Sequence, residues 1–496
     1  MSFEVYRFSH IPCMAWCVEM NPHTDDVRLY AGTKVEVAGD AFVEGAWDGS
    51  FDEMSFDTAE FLCGSGGKLE KNGGVLLATS CHVLDRIVVL KTETALYASN
   101  SVPFLLMKSG SQLDPDYSLY ERDFCSIKDG LKHYRAEIRL AGNRTFHIYY
   151  YCNIRIDRQL HISVLPKRIA NNIRNYGQYH DEMLSMLMRF RKNAQAERRR
   201  KTFGLVTTVS KGYDSAACAA MAYKIGCMTA VTFNEPEKYA GDNGDVVARQ
   251  LGYTDIRYGN ADHCFANKGK VEAFHTATGE LGTTIVFEAF EKDFKDNIVF
   301  YGERGDQFWD KNAVRPNGEF RFADQLVPGI GMAEWRLQVG FILLPIAFYK
   351  AAYWPELYRI SRSDEMRPWS IGGAYDRPIP RRICEDMGVK REEFGQSKKG
   401  AGFNFNRDNL TRIKARMSPD SYESFYTYYR THKRKGNFLA QARYICKMLP
   451  DYANYAFGKA HIPIKFRKKE WNLTNPGAPS YLINWGLEEC IKKYRI

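Results

Sequence analysis

The sequence predicts an α/β protein in two parts: a strand-rich α+β domain, then a parallel-sheet domain with a helical C-terminal region. Three observations predict it. The chain has 496 residues, more than one core usually organises. Residues 1–160 carry short apolar or alternating runs punctuated by turn chemistry. From Phe203 onward strand-like runs alternate with helix-like ones, the rhythm of a parallel sheet covered on both faces.

In the first part, Val27–Tyr30, Gly74–Ala78, Arg86–Leu90 and Leu96–Ala98 read as strands, the last two joined as a hairpin through Lys91 to Thr94. Asp48-Gly49, Gly64 to Gly67 and Asn72-Gly73-Gly74 read as turns. Between Leu165 and Arg200 the pattern becomes helical, with Ile169, Ile173, Met183, Leu184, Leu187 and Met188 recurring at helix spacing. Its closing arginines, Arg189, Arg191 and Arg198 to Arg200, read as a solvated helix end. Next come a strand Phe203–Val209, a helix Asp214–Ile225, a strand Cys227–Phe233 and a helix Asp242–Leu251. Thr283–Ala289 reads as part of a further helix and Asn297–Tyr301 as a later strand. Beyond residue 330 the chain is mainly helical, with basic stretches at Lys433-Arg434-Lys435 and Lys465 to Lys469. The domain expectation is therefore 1–164, a helical connector 165–200, and 201–496.

Bulk properties narrow the class. Hydrophobic residues make up 45% and charged residues 26%, with 30 Tyr and 30 Phe to fill two cores. A net charge of +10 favours acidic ligands such as nucleotides, sugar phosphates or RNA, yet is spread too thinly to mark a nucleic-acid binder. The segment from Met1 to His10 contains Glu4, Arg7 and His10 and lacks the apolar core of a secretory signal. The longest apolar run, Val339–Tyr349, is too short for a bilayer and predicts a buried helix. The twelve cysteines lack paired metal spacing and read as reduced thiols of a cytoplasmic protein. Cys13 and Cys17 would face each other on one helical turn, but no second pair completes a zinc site. The sequons at Asn143 and Asn472 carry no weight without secretion. Gly64-Ser65-Gly66-Gly67-Lys68 looks like a P-loop fragment, but Leu69 stands where the hydroxyl residue belongs.

The chemistry concentrates after the Phe203–Val209 strand, in Ser210-Lys211-Gly212-Tyr213-Asp214-Ser215. A hydroxyl-rich loop running from a parallel strand into a helix presents backbone N–H groups and the helix dipole to an anion. Ser210 and Ser215 add donors for phosphate oxygens, Gly212 permits close backbone approach, and Asp214 suits Mg²⁺ against a pyrophosphate. Ala216, Ala217, Ala219 and Ala220 let the helix sit close to the sheet. A second acidic loop, Gly302-Glu303-Arg304-Gly305-Asp306-Gln307, ends the later strand.

The first loop resembles the Ser-Gly-Gly-x-Asp-Ser fingerprint of PP-loop ATP pyrophosphatases, with Lys211 where glycine is usual. That lysine either contacts a phosphate or marks an inactive relative. The second loop resembles the Ser-Gly-Glu-Gly-Ala-Asp-Glu loop of asparagine synthetase and β-lactam synthetase, matching at Gly302, Glu303, Gly305 and Asp306. The resemblance implies an Ntn-like glutaminase-type domain followed by a PP-loop, adenine nucleotide α-hydrolase-like synthetase domain. It implies ATP contacts from Ser210, Lys211, Gly212, Asp214, Ser215, Val231, Phe233 and Gly302, and Mg²⁺ held by Asp214 and Asp306. Glu303 would face the acceptor. Asp364-Glu-Met-Arg-Pro-Trp is similar to the family's Arg-x-Pro-Phe segment, and Phe394-Gly-Gln-Ser-Lys-Lys-Gly stands where a catalytic lysine is placed, Lys398 or Lys399. Ala46-Trp-Asp-Gly and Leu96 to Leu106 are similar to pieces of the glutaminase domain, but Ser2 replaces the N-terminal cysteine such a hydrolase needs.

The expected function is an ATP-dependent carbon–nitrogen ligase that adenylates a small-molecule acid and joins it to ammonia or an amine. The alternatives are a PP-loop enzyme modifying a nucleic-acid base or sugar, with RNA as a weaker partner candidate, and an interaction protein with a decayed nucleotide site. No membrane insertion is expected, and the oligomeric state is left open.

Overall fold

A computed structural model of the chain describes residues 2–24, 26–167, 172–234, 242–261, 270–322, 328–397, 402, 404–433, 442, 445–446, 449–450, 452–454, 456–457 and 477–496. The fold is mixed α/β. Its first part holds two sheets. The seven-stranded one runs β1 (Glu4–Phe8), β3 (Val27–Gly32), β2 (Trp16–Met20), β9 (Leu96–Ser99), β8 (Ile87–Lys91), β11 (Thr145–Tyr149), β10 (Glu137–Arg139). The six-stranded one runs β13 (Ile162–Pro166), β12 (Cys152–Ile156), β7 (Val75–Ala78), β6 (Leu62–Leu69), β5 (Ala41–Trp47), β4 (Glu36–Ala38). Only the β1–β3 pair is parallel among the described pairings of these two sheets.

Period-2 alternation builds the layers. Trp16, Val18, Ile87 and Val89 of one sheet meet Phe42, Leu77 and Ile154 of the other in a core between them. Their neighbours Cys17, Val88 and Leu90, and Val43 and Cys63, point the opposite way into the larger core. The helix Val102–Ser109 covers the first sheet and Tyr176–Ala194 lies on the second, so the layers run helix, sheet, sheet, helix. The predicted hairpin is present as antiparallel β8 and β9, with Val89 opposite Ala98.

Several expectations are corrected here. Gly64 to Gly67 is no turn but the middle of β6. A Cβ on Gly64 would fall on the Glu44 carbonyl across the sheet, so glycine there serves close strand contact. Cys17 lies buried on β2 and Cys13 in the turn before it, so they share no helical turn. The connector is one helix, Tyr176–Ala194, capped by the Asn175 side chain, while Leu165 still belongs to β13. Ile169 lies outside the described residues. Met183 and Leu187 face inward as expected, whereas Met188 is exposed. Arg199 is not solvated: it is buried over the Phe51 ring at 4.4 Å and donates to the Gly45 carbonyl at 2.9 Å.

The second part centres on a five-stranded, wholly parallel sheet. Its order is β16 (Asp255–Gly259), β15 (Thr229–Phe233), β14 (Gly204–Thr208), β17 (Asn297–Phe300), β18 (Ile342–Leu344). The helices Tyr213–Lys224 and Asp245–Leu251 follow β14 and β15. The further helix expected around Thr283–Ala289 is a 3-10 helix, Ile285–Phe290, that runs into the short α-helix Glu291–Phe294. The helix expected over Val339–Tyr349 is instead strand β18 and a 3-10 turn, Ile346–Phe348. Gly340 in the left-handed region (φ 87°) closes the preceding helix, and Pro345 follows the strand, so the run between them is too short for a helix. A buried apolar run has no period that distinguishes the two states.

Among the described residues beyond β18, the longest helices are Trp354–Ser361, Pro378–Glu385, Pro419–His432 and Leu482–Ile491. Of the basic stretches, Arg434, Lys435 and residues 465–469 lie outside the described residues. No described helix is long and apolar enough to cross a membrane. The two parts interlock. Arg336, from the helix Ala333–Val339, bonds Glu44 at 2.8 Å and Asp85 at 2.7 Å, all three buried. Glu334 of the same helix accepts from the Ser101 hydroxyl (2.7 Å) and the Val102 N–H (2.9 Å). Tyr494 stacks on Phe104 with ring centroids 4.8 Å apart.

Candidate functional site

The strand order places a topological switch between β14 and β17, where the chain leaves one half of the sheet for the other. Crevices at the carboxyl ends of such strands are where open parallel sheets take ligands. Both loops singled out above emerge there.

Ser210 follows β14 and forms an isolated bridge with Asn243. Its N–H donates to the Ser215 hydroxyl at 3.0 Å, the two hydroxyls lie 2.8 Å apart, and the Gly212 N–H donates to the Ser210 hydroxyl at 3.1 Å. The loop is thus wound tightly around two serine oxygens. Gly212 caps the twelve-residue helix Tyr213–Lys224 in extended conformation (φ −75°, ψ 155°) without a side-chain cap. The first N–H groups of that helix therefore have no intrahelical acceptor. Ala216, Ala217, Ala219 and Ala220 are all fully buried against the sheet. Lys211 does not adopt a positive φ, so lysine in place of glycine imposes no backbone strain.

The second loop packs directly on the first. A Cβ on Gly302 would stand 2.7 Å from the Ser215 nitrogen and 2.8 Å from the Asp214 carbonyl carbon. One on Gly305 would stand 2.7 Å from Asp214 Oδ1. Two glycines are therefore what allow Asp214 and the 302–306 turn to meet. Between them Arg304 adopts the left-handed region (φ 65°), buried over Phe322 at 4.1 Å and 3.3 Å from Glu303. Gly244, which sequence reasoning passed over, plays the same part on the other flank: its Cβ would lie 2.6 Å from the Val209 carbonyl carbon. Val231 is buried in β15, its carbonyl accepting from the Val209 N–H at 2.9 Å. Phe233, at the carboxyl end of that strand, is partly exposed and packs on Phe290 at 4.9 Å.

The residue missed by sequence reasoning is Arg377. It is 5% exposed, donates to the Asp306 carbonyl at 3.1 Å, and lies over the Tyr375 ring at 4.4 Å. Burial alone would lower its pKa, but Asp214, Asp306 and Asp310 outweigh that and hold it raised. Asp310 is pushed above the usual carboxylate range, first by burial and further by Asp306 and Asp376. One guanidinium thus serves a crowd of carboxylates. An Arg-Pro dipeptide does reach the site, but it is Arg377-Pro378. Arg367, in the segment similar to the family's Arg-x-Pro-Phe, is exposed and paired with Asp364.

The helix Pro378–Glu385 holds the first turn of the loop helix through Arg381, which is fully buried and donates to the Tyr213 hydroxyl at 2.5 Å. The segment expected to carry a catalytic lysine does border the loop. The Gly395 N–H donates to the Lys211 carbonyl at 2.8 Å, and Phe394 packs edge-on against Tyr213 at 5.9 Å. Lys398 and Lys399 themselves lie outside the described residues.

Asp214, with the Gly305 turn packed on its carboxylate, and Asp306 in that same turn both act on the buried Arg377 charge, and two such carboxylates are oxygen donors of the kind a hard divalent cation sharing phosphate oxygens takes. Among the described residues no group of three or more His, Cys, Asp or Glu assembles an all-protein metal cage. No protein-family model matches the chain, and no curated protein matches it either.

Proposed function

We propose that this chain is an ATP-dependent, AMP-forming ligase of the PP-loop type, with an Ntn-like first domain that no longer hydrolyses glutamine. The observation that carries the reading is the contact of the two loops: Gly302 on the Ser215 backbone and Gly305 on the Asp214 carboxylate, at the switch point of a parallel sheet. A simple βα turn with a serine cap has no need of a second acidic loop pressed onto it.

In this reading the loop N–H groups and the Ser210 and Ser215 hydroxyls hold the pyrophosphate portion of ATP, and Asp214 and Asp306 would hold Mg²⁺. The metal would supply charge neutralisation on the phosphate oxygens. A substrate carboxylate oxygen bonds to the α-phosphorus as the bond to pyrophosphate breaks. The nitrogen of ammonia or an amine then bonds to the activated carbon, and AMP leaves as that nitrogen loses its proton. Glu303, in the loop that carries Asp306, is the group suited to face the acceptor substrate. The protein's contribution is positioning and charge stabilisation.

Two further features support it. Lys211 sits without backbone strain, which removes the main argument for a decayed loop. In the first domain position 2 carries a serine hydroxyl rather than a thiol. Phe3 beside it is buried edge-on against Phe42 at 5.1 Å, in the core between the sheets, instead of lining an open pocket. Incubation with Mg²⁺–ATP and a pool of candidate acids and amines tests the reading. AMP and pyrophosphate should accumulate and vanish with Asp214→Ala; accumulation of ADP would refute it.

A further inference from the structure

We propose that Arg377 is a built-in cation of the nucleotide site, which balances the charge of Asp214 and Asp306 in the nucleotide-free protein and turns its free donors to the phosphates when a divalent cation takes over the carboxylates. The inference rests on the proposed ATP-binding reading and adds a residue and a regulation to it.

Three observations point to it. Arg377 is buried and its Nη2 donates to the Asp306 carbonyl at 3.1 Å, yet Nε and Nη1 have no hydrogen-bond partner among the described residues. Buried guanidinium donors left in this state are costly, and two spare N–H donors suit a phosphate's oxygens. Second, Asp214 and Asp306 are the two charges that act most strongly on Arg377, and Gly305 brings one loop against Asp214. The guanidinium therefore answers the same two carboxylates that a metal would. Third, the side chain is braced for a small movement only. It lies over Tyr375 at 4.4 Å and Tyr213 at 5.8 Å, and its backbone is the cap of the helix Pro378–Glu385. Stacked on rings, a guanidinium can slide in its plane without losing its support.

A purely structural arginine and a resident cation make opposite predictions for metal binding. Removing a structural arginine loosens the site for every ligand. Removing a resident cation frees two carboxylates, so bare metal should bind more tightly while metal–nucleotide binds more weakly. The test uses the full chain as wild type, Arg377→Gln and Arg377→Lys. Mn²⁺ alone is titrated by electron paramagnetic resonance, and Mg²⁺–ATP and pyrophosphate by calorimetry. For Arg377→Gln the expected result is Mn²⁺ affinity raised at least about threefold and Mg²⁺–ATP affinity lowered at least about tenfold, the scale of one charge-assisted contact. Arg377→Lys should fall between it and wild type on both. Lysine keeps the charge, so this variant also covers the case in which glutamine leaves the chain unfolded. The inference is overturned if both affinities fall together or if neither moves. Wild type that binds Mn²⁺ but no Mg²⁺–ATP would overturn the ATP reading itself, and with it this inference; wild type that binds both while the variants match it overturns the inference alone.

Discussion

Adding one methyl group at Gly302 is the sharpest perturbation of the site that leaves its charges untouched. The Cβ of Gly302→Ala would stand 2.7 Å from the Ser215 nitrogen, 2.8 Å from the Asp214 carbonyl carbon and 3.0 Å from the Ser215 Cα. Ordinary carbon contacts lie near about 3.5–4.0 Å, so the methyl is roughly 1 Å too close to backbone that cannot rotate away. Gly302 is not a positive-φ residue, so alanine adds no conformational strain of its own and the effect is steric. Overpacking of this kind costs about 1–3 kcal/mol. Displacing the Asp214–Ser215 backbone by roughly 1 Å should lower turnover about 10²-fold. Gly177→Ala, in the helix Tyr176–Ala194, is the internal control, since its Cβ meets only the Asn175 side chain at 3.6 Å and its φ is not positive. The assays are urea unfolding and formation of AMP and pyrophosphate. If Gly302→Ala turns over at the wild-type rate, or if Gly177→Ala is damaged as badly, then the second loop does not set the position of the first and the reasoning fails.

Other outcomes follow from the same geometry. Asp306→Asn should leave the fold intact and reduce product formation about 10²-fold, the scale for losing one electrostatic contact to developing charge; an unchanged rate would remove Asp306 from the site. Arg336→Ala should destabilise the chain by about 3–5 kcal/mol, because Glu44 and Asp85 are left buried without their cation; a urea midpoint near wild type would show that the pair does not hold the two parts together. His82 and His275 are fully buried and held neutral, burial pushing their pKa values down to about 4 and about 3. Their folded pKa values lie below the free value of 6.5, so the stability they contribute is complete above pH 6.5 and lost as pH falls through 4 and then 3. Each adds a slope of up to about 1.4 kcal/mol per pH unit in that window. His82→Gln should flatten the curve between about pH 6 and 4; an unaltered slope of the unfolding free energy against pH counts against it.

The parts of this structure legible in the sequence are those with local causes. The run from Phe203 into Ser210–Ser215 and the small-residue helix is readable because strand, turn and helix each leave a mark within a few residues. The hairpin of β8 and β9 is readable for the same reason. What escaped has its cause across space. β18 is a strand because β17 lies beside it, not because of any period in Ile342–Leu344. The glycines of β6 look like a turn until Glu44 and Phe42 are seen across from them. Arg377 lies 163 positions beyond Asp214, and nothing near either residue announces that they meet. Arg367, ten positions earlier in the segment that resembles the family's Arg-x-Pro-Phe, carries the same Arg-Pro dipeptide but faces solvent.

The stacking of Tyr494 on Phe104 has a consequence for how the chain is made. Phe104 belongs to a helix on the first sheet, but its aromatic partner is synthesised roughly 390 residues later, which at about 5–20 residues per second is about 20–80 s. For that interval the outer face of the first domain is finished except for its cover, with Phe104 and Ser101 both waiting for Tyr494. A nascent chain holding an apolar surface open for so long is a natural client for a chaperone at the ribosome. Synonymous changes that slow translation of the later segments should therefore lower the soluble yield without altering a single residue.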